Sequence, residues 1–507
     1  MTVSGISVAG AVGAYSLTPT LTKVAPTIVS SNLALPSAAV LSSASAPQSA
    51  FTLTPITSVT QNVIYSRPAV LNSDRLAWAT PPADDISQML EAGLKAHSES
   101  TSLLGGLGAQ LLDRFATTQS DFRQAVVTYR DPAANGADDT NAAAGASALQ
   151  NAQYIHNSVS LRVYTVSGKE VDIAITFGGD GHSIQDSLSI AVHSSGVLSA
   201  AEQTAIAKLS KGFDAALQGI AGSSAKVDVS GLVNYDTTVL SGVDLNVLDA
   251  PQMSGPQSLD FHADASRRSF SMQGQAGTVA VSVDLSSPAQ WGSPAQQQTS
   301  VLGYLDQFDS ANQRAHGDAT LLGQFKDAFA QLNSSYPAPG QQPAPALSAS
   351  ALSAKDRSVL TGLADFQASM SGDFNNGSAT HVTTEAGHID YEISQATETR
   401  GVAKRTGLSV VQTQASTLSA SFAASRNGEM LDIARGDYDI HTFKDSASTS
   451  TSFEYADDKL QNAVSINRMN QSEIDEKLVN HKIVDRKSTP HSVFTMQDIS
   501  AQLRPTL

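Results

Sequence analysis

The stretch from Val159 to Phe177 constrains the fold of this chain more than any other. Val159, Leu161 and Val163 alternate with polar residues, Ser167-Gly168 turns the chain, and Val171, Ile173, Ile175 and Phe177 alternate again. A period of two places these side chains on one face of an antiparallel hairpin, so one face is buried and the other meets water. Leu188, Ile190 and Val192 continue the period as a third strand.

A helix follows. Ser199 and Glu202 stand at capping-box spacing, where hydroxyl and carboxylate each satisfy an orphan backbone N–H. Ile206, Leu209, Phe213, Leu217 and Ile220 then form one apolar stripe that ends at Gly222 and should lie against the buried face of the sheet. Further strands are expected at Val243 to Val247, Leu259 to Phe261 and Val279 to Leu285. Two helices carry Val301, Leu305 and Phe308, then Leu321, Phe325, Phe329 and Leu332, before Tyr336-Pro337-Ala338-Pro339-Gly340 stops the pattern.

Beyond that stop, Leu352-Ser353-Ala354-Lys355-Asp356 echoes Leu198-Ser199-Ala200-Ala201-Glu202, and Leu360 and Leu363 fall where Ile206 and Leu209 fall. One matched helix start is thin ground for an internal repeat. Strands are expected around Val382, Ile389 to Ile393, Leu408 to Val411, Leu418 to Phe422, Leu431 to Ile433, Tyr438 to Phe443 and Phe453 to Tyr455. Upstream, Asp85 to Arg130 has helical spacing in Leu111, Phe115, Phe122, Val126 and Tyr129, broken at Gly105, Gly106 and Gly108 into two helices. Asp131 to Ala148 reads as a linker.

The expected fold class is α+β, with antiparallel sheets, helices packed on one face, and a largely disordered N-terminal segment in front. Residues 1–84 are that segment, crowded with Ser, Thr, Ala and Pro and nearly uncharged before Asp74. Residues 85–148 form a helical region and linker, 149–335 an α+β domain, 336–348 a Pro/Ala/Gln linker, and 349–507 a second β-rich α+β domain.

Charge and cysteine usage remove several function classes. The net charge of −16 argues against a nucleic-acid partner, since phosphate neutralisation needs clustered Lys and Arg. The densest basic stretch, Lys482 to Lys487, reads as a solvated loop. With no cysteine in 507 residues there is no disulfide, thiolate metal site or cysteine nucleophile. That usage suits a protein that leaves a bacterial cell, yet Met1 to Ser16 lacks the basic start of a signal peptide, so the expected route is non-classical, to the cell surface or medium. No apolar run is long enough to cross a bilayer.

No phosphate-binding or hydrolase motif is present, so no cofactor is expected and catalytic residues stay unassigned. The most site-like stretch is Gly178 to Asp186, where Asp180, His182 and Asp186 share a glycine-rich loop that resembles the nonapeptide of calcium-binding β-rolls. Calcium needs six to eight oxygens, and one copy with Ser183 in a ligand position supplies too few. A hairpin connection is the preferred reading. Asp131, Asp138 and Asp139 lack EF-hand order. His388, Asp390 and Glu392 would share one face of a strand, which exposed polar alternation explains. A hydrolase built from carboxylates distant in sequence, such as Asp180 with Glu392, is a further alternative.

Residues 157–248, with the hairpin, Leu198-Ser199-x-x-Glu202, the Ile206, Leu209 and Phe213 stripe, and Val243-x-Leu245-x-Val247, resemble a module of uncharacterised bacterial proteins. The resemblance implies a bacterial origin and no particular activity. The first functional expectation is a non-enzymatic, exported or surface-associated protein that acts through a protein partner. The alternative is an intracellular scaffold or regulator.

Overall fold

The computed structural model describes residues 74–95, 104–117, 121–130, 149, 157–178, 187–222, 226–248, 256–337, 352–377 and 382–504. The proposed linker at 131–148 and the loop residues Asp180, His182 and Asp186 lie outside the described residues, as do positions 1–73.

The α+β expectation holds, in the form of one antiparallel sheet. Its first strands are β1 (Asp74–Trp78), β2 (Phe122–Arg130), β3 (Asn157–Thr165), β4 (Glu170–Gly178), β5 (Ser187–Ser194), β6 (Leu240–Leu248), β7 (Ser258–Asp264), β8 (Arg267–Gly274) and β9 (Gly277–Asp284). Longer strands follow: β10 (Asp365–Gly377), β11 (Thr383–Ala403), β12 (Gly407–Ala424), β13 (Asp439–Ala456), β14 (Lys459–Val479) and β15 (Lys482–Asp498). Among the described residues they form a 15-stranded sheet in the order β1-β2-β5-β4-β3-β6-β7, then β8 to β15 in sequence. The sheet does not break between residues 335 and 349, because β9 pairs β10 from Asp284↔Asp365 to Thr278↔Ser371.

The β3–β4 hairpin turns at Gly168, whose φ of +84° only glycine adopts at little cost. Val159, Leu161, Val163, Val171, Ile173 and Ile175 of the hairpin are buried with Leu188, Ile190 and Val192 of β5 and Val243, Leu245 and Val247 of β6, and α3 (Ala200–Ala207) and α4 (Ser210–Ala221) bury Ile206, Leu209, Phe213, Leu217 and Ile220 in the same core. The stripe read as one helix is therefore two, parted at Lys208-Leu209. The short α5 (Ser230–Val233) crosses α4 so closely that a Cβ on Gly212 would lie 2.6 Å from the Gly231 carbonyl carbon.

The upstream helices are α1 (Asp85–Lys95) and α2 (Leu107–Thr117), but Phe122, Val126 and Tyr129 belong to strand β2. Val126-Val127-Thr128 is β-branched throughout and pairs with β1, and Val126 and Val127 pair with β5 as well, so sheet pairing overrides the accidental helical spacing. Leu431 to Ile433, expected as a strand, is a turn region between Gly428 and Gly436, both at positive φ.

Over the middle of the sheet lie α6 (Pro294–Ala315) and α7 (Ala319–Leu332). They pack one aromatic cluster: Phe308 meets Phe325 with centroids 4.7 Å apart, Tyr304 meets Phe366 of β10 at 5.1 Å, and Phe308 meets Tyr391 of β11 at 5.9 Å. Tilted and edge-on rings of this kind add roughly 0.5–1.5 kcal/mol per pair to their burial. Toward the C-terminus α8 (Ala354–Ser358) and α9 (Ser500–Leu503) cover a smaller cluster of Leu352, Leu408, Val410, Phe453 and Tyr455. The helices thus cover one face, and the other is polar and open.

Candidate functional site

β8 begins Arg267-Arg268, and the period of two that buries Phe270 and Met272 also turns Arg268 toward the helices. Arg268 is only 2% exposed. Its Nη1 donates to the carbonyls of Leu332 at 2.9 Å and Ser334 at 2.5 Å, and its Nη2 to Val233 at 3.2 Å and Ser335 at 2.9 Å. Three of these carbonyls lie at the C-terminal end of α7, where the helix dipole is negative and the last carbonyls lack partners. Burial lowers the guanidinium pKa to about 10, which leaves it charged at neutral pH.

Beside it opens a pocket of about 300 Å³, lined among others by Tyr235, Asp264, Arg268 and Tyr336. The Tyr235 hydroxyl donates to Ala263 O at 2.8 Å, and Tyr336 donates to Asn333 Oδ1 at 2.7 Å. Asp264 accepts from Ser266 and from the Arg267 N–H. Both terminal nitrogens of Arg268 are committed to main chain, so the cation clamps the fold and does not present a fork to a ligand.

Across the open face runs a transverse row of alternating charge. Arg162 of β3 reaches Asp172 of β4 at 2.6 Å, and Asp244 of β6 accepts from Tyr164 at 2.9 Å. His262 of β7 holds Asp244 with Nδ1 at 2.6 Å and Asp264 with Nε2 at 3.1 Å. Hydrogen bonds donated to two carboxylates raise the His262 pKa to about 9. An imidazole protonated at neutral pH and donating from both nitrogens is not a general base. For Asp264, burial pushes the pKa up, but the bonds from His262, Ser266 and Arg267 outweigh it and bring the carboxyl below its usual range.

β11 repeats the arrangement. His388 meets Asp373 at 2.7 Å and Asp390 at 3.2 Å, and the first of these bonds is the main reason its pKa is raised. Glu392 follows on the same exposed face, so these three residues share one side of a strand. Among the described residues no group of three His, Asp or Glu side chains is placed to hold a metal. Among them, too, no helix is long and apolar enough to cross a membrane.

The remaining surface feature is the C-terminal hairpin. Lys482 to Lys487, read from sequence as a loop, opens strand β15, which is exposed along nearly its whole length. A strand exposed on both faces carries no alternation, and so it is silent to a period-based reading. Phe494 and Met496 are 62% and 67% exposed, and they share the open face with the half-buried Ile466 of β14. Arg468 stacks its guanidinium 5.5 Å from the Phe494 ring centroid.

Comparison with protein-family models, with curated proteins and with solved structures finds no match.

Proposed function

We propose that this chain is a non-enzymatic bacterial protein, exported or surface-associated, that works by holding a protein partner on its C-terminal hairpin. The observation that carries this reading is the exposure of Phe494 and Met496 on a terminal strand. Large apolar side chains held in water on a rigid element are the usual anchors of protein interfaces, with Arg a frequent companion. The internal chemistry supports the same side. Arg268 is spent on backbone carbonyls, and His262 and His388 are each locked between carboxylates. The resemblance of residues 157–248 to a module of uncharacterised bacterial proteins supports the origin.

The test places a photo-crosslinking amino acid at position 494 in the native host, with the same probe at the exposed loop residue Val197 as control. Adducts to a second polypeptide that form from 494 and not from 197 are expected. Equal yields, or none from 494, refute the proposal. Fractionation of the same culture decides export: adducts found only in the cytosol leave an intracellular scaffold in its place.

A further inference from the structure

Among the described residues β15 pairs with β14 alone, and none of them covers its other edge. The direction of its backbone groups follows from one bond. Ile499 N–H donates to Ala463 O at 3.1 Å, next to the pair Val464↔Asp498. In an antiparallel ladder, bonded and non-bonded pairs alternate. Odd-numbered residues of β15 therefore turn toward β14, and even-numbered residues turn their N–H and C=O groups outward, as far back as the irregularity at Lys477/Leu478.

Pro490 is even-numbered, so its missing N–H is on the open edge. It divides that edge into two unlike arms. The arm from Lys482 to Ser488 carries Lys482, Asp485, Arg486 and Lys487 and is paired through the irregularity at Lys477/Leu478. Proline, charge and bulges are the devices that keep edge strands from pairing. The other arm, Ser492-Val493-Phe494-Thr495-Met496-Gln497, has none of them. It is uncharged and rich in β-formers, the composition of a segment that adds to another strand.

We infer that this arm pairs antiparallel with the same arm of a second copy of the chain, about a two-fold axis at Thr495. The inference rests on the proposed interaction role of the hairpin and names its partner. The register is self-complementary. It sets the outward-facing Phe494 against the second copy's Met496, and Met496 against the second Phe494, a favourable sulfur–aromatic contact. Ser492 falls opposite the second Asp498, where a hydroxyl meets a carboxylate. The outward residues 492, 494 and 496 of the arm, with Asp498 just beyond it, exchange backbone bonds, and Pro490 and the basic arm lie outside the pairing. Any register that joins this arm to the basic arm of the second copy must bring Pro490 into the ladder, and the basic arm paired with itself would set its charges along the new ladder. The arrangement is an isologous two-fold contact, and its short length predicts a weak, concentration-dependent dimer.

The absence of cysteine makes the register directly testable. Thr495 would sit on the axis in a non-bonded pair, with Cα atoms about 4.5 Å apart, within disulfide reach. Full-length Thr495→Cys should oxidise to a covalent dimer about tenfold or more faster than Thr489→Cys, whose effective concentration is that of free solution. Sedimentation velocity of the unmodified chain should show monomer and dimer in exchange. Met496→Pro removes an outward N–H, as Pro490 already does, together with an exposed side chain of the proposed contact, so it should abolish the dimer while leaving the circular-dichroism melt unchanged. A chain that sediments as monomer at every concentration overturns the inference. So do equal oxidation rates at 495 and 489, or a dimer that survives Met496→Pro in a folded variant. Adducts from position 494 that contain only another polypeptide overturn the dimer and leave the interaction role standing.

Discussion

Lys404 Nζ lies 2.6 Å from Asp356 Oδ2, and Asp356 is the N3 residue of the capping box that starts α8. The relationship recurs at the other end of the sheet, where Lys169 lies 2.9 Å from Glu202, the N3 residue of the box that starts α3. In both cases a lysine from a hairpin turn neutralises a buried carboxylate that also accepts the N-cap N–H, from Ser353 at 2.7 Å and Ser199 at 2.6 Å. Asp356 gains a third partner in the Tyr455 hydroxyl at 2.7 Å. Asp356 is 1% exposed, so losing its cation leaves a buried, under-compensated charge. Lys404→Met should cost about 3 kcal/mol. Arg400→Ala, which breaks only the exposed pair with Glu398, should be near neutral in urea denaturation.

The same carboxylates set an acid limit. Burial works to raise the pKa of Glu202, but bonds from Ser167, Lys169 and Ser199 outweigh it and hold the group far below its ordinary value. Asp356 is lowered likewise, with Lys404 and Tyr455 outweighing burial. A depressed folded-state pKa means that the unfolded chain takes up protons first. The contribution is complete above the unfolded value of about 4 and is lost as pH falls toward the folded one. Denaturant midpoints should therefore drop steeply with acid below that value. Glu202→Gln should be less stable at neutral pH and show a shallower acid slope; an unchanged slope would exclude Glu202 as a source.

Arg268 joins β8 to the end of α7 and to α5 through four carbonyls. Arg268→Met removes these donors at once and leaves the buried carbonyls of Leu332 and Val233 without partners, each worth about 1–3 kcal/mol. The expected loss is several kcal/mol in total, read as a fall in melting temperature. Arg268→Lys should not rescue it, because one ammonium cannot present two nitrogens in a fork to carbonyls from two elements.

Strands with one dry face were legible in the sequence. β3, β4, β5, β6 and β9 show the period of two because water and core impose opposite chemistries on alternate residues. β14 was missed, since Ser, Asn and Lys dilute the signal where half-buried positions replace buried ones, whereas β10 alternates cleanly through the buried Phe366, Ala368, Met370 and Phe374 and its signal went unused. β12 and β13 were each read as two strands, because the polar centres Gln412 to Thr417 and Lys444 to Thr451 lack large apolar residues. β8 and Arg268 had a readable signal that went unused: Arg268, Phe270 and Met272 are alternate residues, and an arginine in phase with a dry face needs buried acceptors. Which acceptors those are depends on α7 and α5, far off in the chain, and local pattern carries no such information.

His262 sets a limit on the alkaline side. Its ring holds Asp244 and Asp264 together across the open face, and these bonds raise its pKa from 6.5 to about 9. For a raised pKa the sign is opposite to that of Glu202. The folded chain holds the proton that the unfolded chain releases, so the stabilisation is complete below 6.5 and disappears as pH rises through about 9. Because the ring is partly exposed, solvent screens the pair and the effect should be modest. An NMR titration of the His262 ring protons should give a midpoint near 9. His262→Gln should remove the part of the alkaline stability loss that falls between 6.5 and 9. A midpoint near 6.5 would mean that the two carboxylates do not hold the ring in solution, and the transverse charge row would then end at Asp244.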